Sequence, residues 1–128
     1  MRVVIEEVVV HRDQRGAVFE PVEGHLLPEQ SNVHVVLTEP GGVRGNHYHR
    51  RGTEVITACG PMLVRFREGE KVEDRVVEEG QVVRFRFPPG VPHAFRNTGE
   101  KTNILVAFNT GVHDRAAPDV VREVLIES

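Results

Sequence analysis

Glycine and proline break this chain so often that no run between them can form a long helix. The sequence of 128 residues holds 12 glycines and 8 prolines. The stretches they bound are short and rich in valine, isoleucine and phenylalanine, which is the signature of a protein built from many small strands. Val3 to Val10 is the first such run, followed by a turn at Asp13 to Gly16 and a brief segment from Ala17 to Glu20. Val33 to Thr38 is stopped by Glu39-Pro40-Gly41-Gly42, and Val43 to His49 and Thr53 to Cys59 flank a turn at Arg50-Arg51-Gly52. Met62 to Arg67, Val72 to Val77, Gln81 to Phe87, His93 to Asn97, Asn103 to Asn109 and Val120 to Ile126 continue the series. No window sustains an apolar face at helical spacing, so any helix is short. About ten evenly spaced strands with turn signals between them predict a single all-β sandwich or barrel.

Within that frame one strand is clearly two-faced. Val83, Phe85 and Phe87 alternate with Arg84 and Arg86, which predicts an apolar side on the core and a basic side turned outward. A net charge of −3 gives no basic footprint for nucleic acid. Lys71 and Lys101 are the only lysines, so the positive charge is carried mainly by arginine, which suits ion-pair networks or forked contacts to phosphate and carboxylate. The lone Cys59 excludes an internal disulfide and a cysteine-rich zinc framework, and its apolar setting predicts a buried structural thiol. No apolar run approaches membrane length, and MRVVIEEVVV lacks a cleavage pattern, so a cytoplasmic location away from membranes is expected.

The chemistry is concentrated in two segments. Gly41 to Glu54 reads GGVRGNHYHRRGTE, and Pro88 to Asn97 reads PPGVPHAFRN. Strand alternation places His47 and His49 on one face, with Cα atoms about 6 to 7 Å apart. Glu54 opens the next strand after a short turn, and a proline-stiffened turn fixes the entry of His93 into its own strand, where Phe95 and Asn97 share its face. Three imidazoles and one carboxylate form a nitrogen and oxygen donor set suited to one divalent ion of zinc, nickel, iron, manganese or copper. Without a metal, the same histidines can serve as acid and base. His11, His25 and His113 read as ordinary satisfied or exposed histidines, whereas His34 alternates with Val33 and Val35 and could face the interior.

These segments resemble the two motifs of the cupin superfamily, G-x5-H-x-H-x3,4-E-x6-G and G-x5-P-x-G-x2-H-x3-N. Gly41, His47, His49 and Glu54 match the first; Pro88, Gly90, His93 and Asn97 match the second. The spacings from Glu54 to Gly60 and from Gly80 to Pro88 depart from the pattern, which are differences of loop length. The resemblance implies a jelly-roll barrel, a metal at His47, His49, Glu54 and His93, and a homodimer.

A narrower resemblance runs from Asp13-Gln14-Arg15-Gly16 through Gly45-Asn46-His47-Tyr48 to Pro88 and His93, with a further echo at Pro118-Asp119. It is similar to nucleotide-sugar cupins: dTDP-sugar 3,5-epimerases, 3,4-ketoisomerases and the cupin domains of capsular polysaccharide enzymes. The epimerases carry a glutamine where His49 stands and use a lysine near position 54 and a later tyrosine. Here Glu54 replaces the lysine and Tyr48 is the single tyrosine, which moves the resemblance toward the ketoisomerases and the metal-bearing capsular domains.

The expected activity is therefore isomerisation or epimerisation of a sugar-like or keto substrate. His47 or His49 would act as base if no metal binds, and Arg15, Arg44 and Asn97 are expected to contact substrate. A metal-dependent dioxygenase and a non-catalytic module binding a small ligand are the alternatives.

Overall fold

The computed structural model describes residues 2–112 and 114–128. Twelve strands run in chain order: β1 (Val4–Glu7), β2 (His11–Asp13), β3 (Gly16–Val18), β4 (Asn32–Thr38), β5 (Val43–His49), β6 (Glu54–Cys59), β7 (Met62–Glu68), β8 (Lys71–Val77), β9 (Val82–Phe87), β10 (His93–Asn97), β11 (Asn103–Asn109) and β12 (Val120–Arg122). The described helical structure is a single 3-10 turn at Leu27–Glu29, and no helix among the described residues is long and apolar enough to cross a membrane. Two five-stranded antiparallel sheets, ordered β1-β9-β6-β11-β4 and β12-β5-β10-β7-β8, face each other, and β2 and β3 form a separate hairpin. This is the cupin jelly roll.

Alternation along each strand fills the space between the sheets. Ile56, Ala58, Phe85, Phe87 and Leu105 from one sheet meet Met62, Val64, Phe66 and Phe95 from the other. Phe85 and Phe87 stack with ring centroids 5.8 Å apart, and Phe95 meets both edge-on. Burying these side chains removes the largest apolar surfaces from water and is the main stabilising term.

The structure departs from the sequence expectation in two strand boundaries and in the face of one arginine. The first run ends at Glu7, and His11 to Val18 folds into the hairpin β2–β3 instead of extending it. The last run keeps strand pairing only over Val120–Arg122, because Leu125 and Ile126 give their N–H groups to the Asn46 side chain. Arg84 is not on an open face: it is only 9% exposed. The segment before β4 folds over it, and its guanidinium donates to the Glu20 carbonyl at 2.8 Å. Beneath the same segment Val22, Val55 and Phe108 form a second small apolar cluster. Cys59 is a half-buried free thiol, and burial pushes its pKa up.

One distortion positions the site. In the β5–β10 pairing His93 faces His47, yet Ala94 faces Gly45, so Asn46 is an extra residue. Gly45 (φ 85) and Asn46 (φ 58) both occupy the left-handed region, which a β-bulge with glycine and asparagine accommodates. A Cβ on Gly45 would lie 2.7 Å from the His93 carbonyl oxygen, so only glycine lets the two strands approach here.

Candidate functional site

Four side chains from three strands converge at one end of the barrel. Glu54 starts β6, and its neighbours in register are Phe87 on β9 and Asn109 on β11. Its carboxylate points between the sheets, where His47 and His49 arrive from β5 and His93 from β10. His93 Nε2 lies 2.7 Å from Glu54 Oε1, His49 Nε2 lies 3.3 Å from Oε2, and His47 Nε2 lies 3.9 Å from Oε1. The donor atoms of His47, Glu54 and His93 all fall within 4.8 Å of one another, and His49 approaches through the second carboxylate oxygen. All four expected ligand positions are thus brought together.

The surroundings fix these groups tightly. His93 is 1% exposed and stacks on Phe87 with ring centroids 4.2 Å apart. Its Nδ1 lies 3.0 Å from the Val91 carbonyl, which can only accept, so that nitrogen carries the proton. With Nδ1 carrying the proton, a neutral ring would turn an Nε2 lone pair toward the Glu54 carboxylate. Such a contact repels unless a positive charge, a proton or a cation, lies between the two atoms. His49 Nε2 is buried without a hydrogen-bond partner. It is near Glu54 Oε2 in distance, but the angle does not make a hydrogen bond. An orphaned imidazole nitrogen beside a buried carboxylate is the environment a divalent ion would satisfy, and the donor set fits one.

Electrostatics follow from the same packing. Burial works to raise the Glu54 pKa, but the imidazoles of His47, His49 and His93 crowded around it outweigh that and hold the carboxyl well below its ordinary range. Burial works to lower the His49 pKa, but the close approach and charge of Glu54, with the charge of Asp119, raise it.

Asp119 has a second task. It accepts the Arg51 and Gly52 N–H groups at 3.0 and 2.9 Å, and its backbone carbonyl accepts the Arg50 N–H at 3.0 Å. It thereby ties the C-terminal segment to the turn joining the histidine strand to Glu54. In sequence Asp119 stood out only as part of a family-like Pro-Asp pair; sixty-five residues separate it from Glu54, so spacing carried no sign of its role.

Two of the four convergent groups, His49 and Glu54, open into a cavity of about 320 Å³, a volume that suits a small ligand. His34 and Asn32 line it from β4, Asn109 from β11, and Arg115 and Asp119 from the following segment. His34 thus lines the cavity on the face of β4 it shares with Val36, but it stays exposed at the rim and is not buried in the barrel interior.

The three expected substrate contacts are placed elsewhere. Asn97 is 1% exposed and fully committed to backbone: its amide donates to the Thr38 and Lys101 carbonyls at 2.9 and 2.7 Å and accepts the Gly99 N–H at 2.8 Å. It locks turns at the far end of β10 and has nothing left for a ligand. Arg44 reaches away toward the end of β4, donating to the Leu37 carbonyl at 2.9 Å. Arg15 lies in the hairpin, paired with Asp13 at 2.6 Å. That hairpin rests on the Gly80 carbonyl through Arg12, at the end of β9 remote from Phe87 and Glu54. His11 and His25 are exposed, as expected, and His113 lies outside the described residues.

Known proteins share this architecture. CapF, a capsular polysaccharide assembling protein from Staphylococcus aureus, superposes with a TM-score of 0.67 at 24% identity, over 91% of this chain and 33% of CapF. The chain thus spans about a third of the length of CapF. ChmJ, a 3'-monoepimerase from Streptomyces bikiniensis solved with dTDP-quinovose, gives 0.75 at 19% identity, covering 94% of this chain and 68% of ChmJ. QdtA, a sugar 3,4-ketoisomerase from Thermoanaerobacterium thermosaccharolyticum solved with TDP, gives 0.72 at 18%, covering 94% of this chain and 88% of QdtA. A comparison with curated protein sequences found no match. The fold is therefore one that this chain shares with CapF, ChmJ and QdtA. The chain itself belongs to the polysaccharide biosynthesis C-terminal domain family, whose model matches residues 11–121.

Proposed function

We propose that this protein is an isomerase or epimerase of a nucleotide-linked keto sugar, with one divalent cation held by His47, His49, Glu54 and His93. The observation that carries the reading is the buried Glu54 carboxylate ringed by three imidazoles at the inner end of the cavity, with His49 Nε2 unpartnered. Family membership supports a place in polysaccharide synthesis. ChmJ and QdtA, which share the fold, are a sugar epimerase and a sugar ketoisomerase. CapF has been solved with the inhibitor 3-isopropenyl-tropolone, and tropolones carry adjacent oxygens of the kind that chelate divalent ions.

A bound cation supplies Lewis-acid polarisation of a substrate ketone. The protein's residues do the rest. Phe87 and Val91 hold His93 in one orientation, and the Asp119 clamp fixes the turn between His49 and Glu54. Arg115, which lines the cavity, offers a cation to an anionic part of the substrate.

The protein is further proposed to act as a cytoplasmic homodimer. Val33, Val35 and Leu37 are 55%, 66% and 56% exposed on the outer face of the edge strand β4, and a second copy would cover them.

The deciding experiment pairs elemental analysis of the purified protein with solvent-deuterium wash-in on dTDP- and UDP-linked 4-keto sugars. About one divalent ion per chain and deuterium incorporation next to the ketone are expected. Metal-free protein that cannot be loaded, or no incorporation on any substrate, overturns the reading.

A further inference from the structure

We infer that His34 is the proton-transferring catalytic residue of this cavity, an inference that rests on the isomerase or epimerase reading above. Moving a proton on a carbon next to a ketone requires a base that is free to move it. The titratable or charged groups lining the cavity among the described residues are His34, His49, Glu54, Asp114, Arg115 and Asp119. Most of them are already committed. His49 and Glu54 face each other across 3.3 Å within the donor cluster. Asp119 holds the Arg51 and Gly52 N–H groups, and Asp114 accepts the Ala116 N–H at 2.9 Å within its own loop. Arg115 offers a guanidinium, a donor-only group that cannot serve as a base. Tyr48, the single tyrosine, alternates with His47 and His49 and so lies on the opposite face of β5.

His34 differs from all of these. It makes no hydrogen bond or ion pair among the described residues, and it is carried by a strand paired along its whole length with β11. Register places it opposite Ala107, which is opposite Ile56 two residues beyond Glu54. Two inter-strand steps separate β4 from β6, about 10 Å between backbones, with Ala107 of β11 in between. His34 and the cluster members His49 and Glu54 line the same cavity.

In the step assigned to His34, the C–H bond next to the ketone breaks and the proton passes to a ring nitrogen. The C–H electron pair becomes the carbon–carbon double bond of an enolate, and the carbonyl π pair moves to oxygen. Return of a proton from the imidazole to carbon restores a ketone, and exchange of that proton with solvent marks the event.

The test uses the metal-loaded protein with TDP-4-keto-6-deoxyglucose and its UDP-linked counterpart in deuterated buffer. His34→Ala and His34→Gln are expected to keep metal content, thermal midpoint and nucleotide-sugar affinity, while deuterium wash-in falls at least about 100-fold. Added imidazole is expected to restore His34→Ala by about tenfold or more, which a structural defect would not permit. Wild-type-like exchange in either variant, or no rescue by imidazole, overturns the assignment while leaving the proposed activity standing. No exchange by the wild-type protein overturns both.

Discussion

The Gly52 N–H donates to Asp119 Oδ2 at 2.9 Å, and the same oxygen stands 3.7 Å from His49 Nδ1. One carboxylate therefore holds the turn between two donor strands and faces the rear nitrogen of a donor histidine. Outer partners of this kind set ring orientation and donor strength. Asp119→Ala is expected to weaken divalent-ion affinity by about 10- to 100-fold, measured by competition with a coloured chelator. Asp119→Asn, which still accepts from the turn, should lose less. Equal affinity in all three proteins would show that the turn holds its shape without the carboxylate.

The metal-free protein should lose stability at both ends of the pH range. Glu54 is held below its ordinary pKa, so its contribution is present above the unfolded value, about 4.3, and is lost as pH falls through the lower folded value. His49 is raised, so its contribution is complete below about 6.5 and disappears as pH climbs through the higher folded value. Chemical denaturation of chelator-treated protein from acid to mildly alkaline pH would trace both limbs. Glu54→Gln should flatten both, since the raised His49 depends on the same charge.

Asn97 reads as a ligand contact by motif but acts as a staple. Asn97→Ala strands the buried Thr38 carbonyl and frees the Gly99 and Lys101 turns. A loss of about 2 to 3 kcal/mol in unfolding free energy is expected, with metal content unchanged. A stable variant with impaired substrate affinity would return Asn97 to the site.

Covering of β4 can be checked by sedimentation. Val35→Asp places a charge in the middle of the exposed apolar row and should shift the proposed dimer toward monomer without lowering metal content. An unchanged sedimentation coefficient would mean that β4 is not the shared face.

How much of this was legible in the sequence depended on whether the cause was local. His47, His49 and Glu54 lie within eight residues, and β5 and β10 begin and end where glycine, proline and alternation say they should. His93 was legible because prolines set its strand entry. The bulge was visible only as an ordinary Gly-Asn pair; its purpose appears once β10 is seen lying 2.7 Å from where a Cβ would be. Arg15 and Arg44 lie away from the cavity: their type suggests phosphate, while their location depends on which end of a strand they occupy. Asp119 and His34 join the site through pairing between distant strands, which local spacing cannot express.

Among the described residues the outer edge of β5 is completed by Val120–Arg122, and the Asn46 side chain is satisfied by Leu125 and Ile126. A nascent chain therefore carries its donor histidines on an open strand edge until Val120 to Ile126 have left the ribosome. Before that point the histidine strand lacks one of its two neighbours, and the turn into Glu54 lacks its clamp. Assembly of the site thus waits for the segment that follows β11. Chains stalled before Asp119 should be the ones that chaperones and proteases capture, because they present an unpaired edge ready for wrong partners.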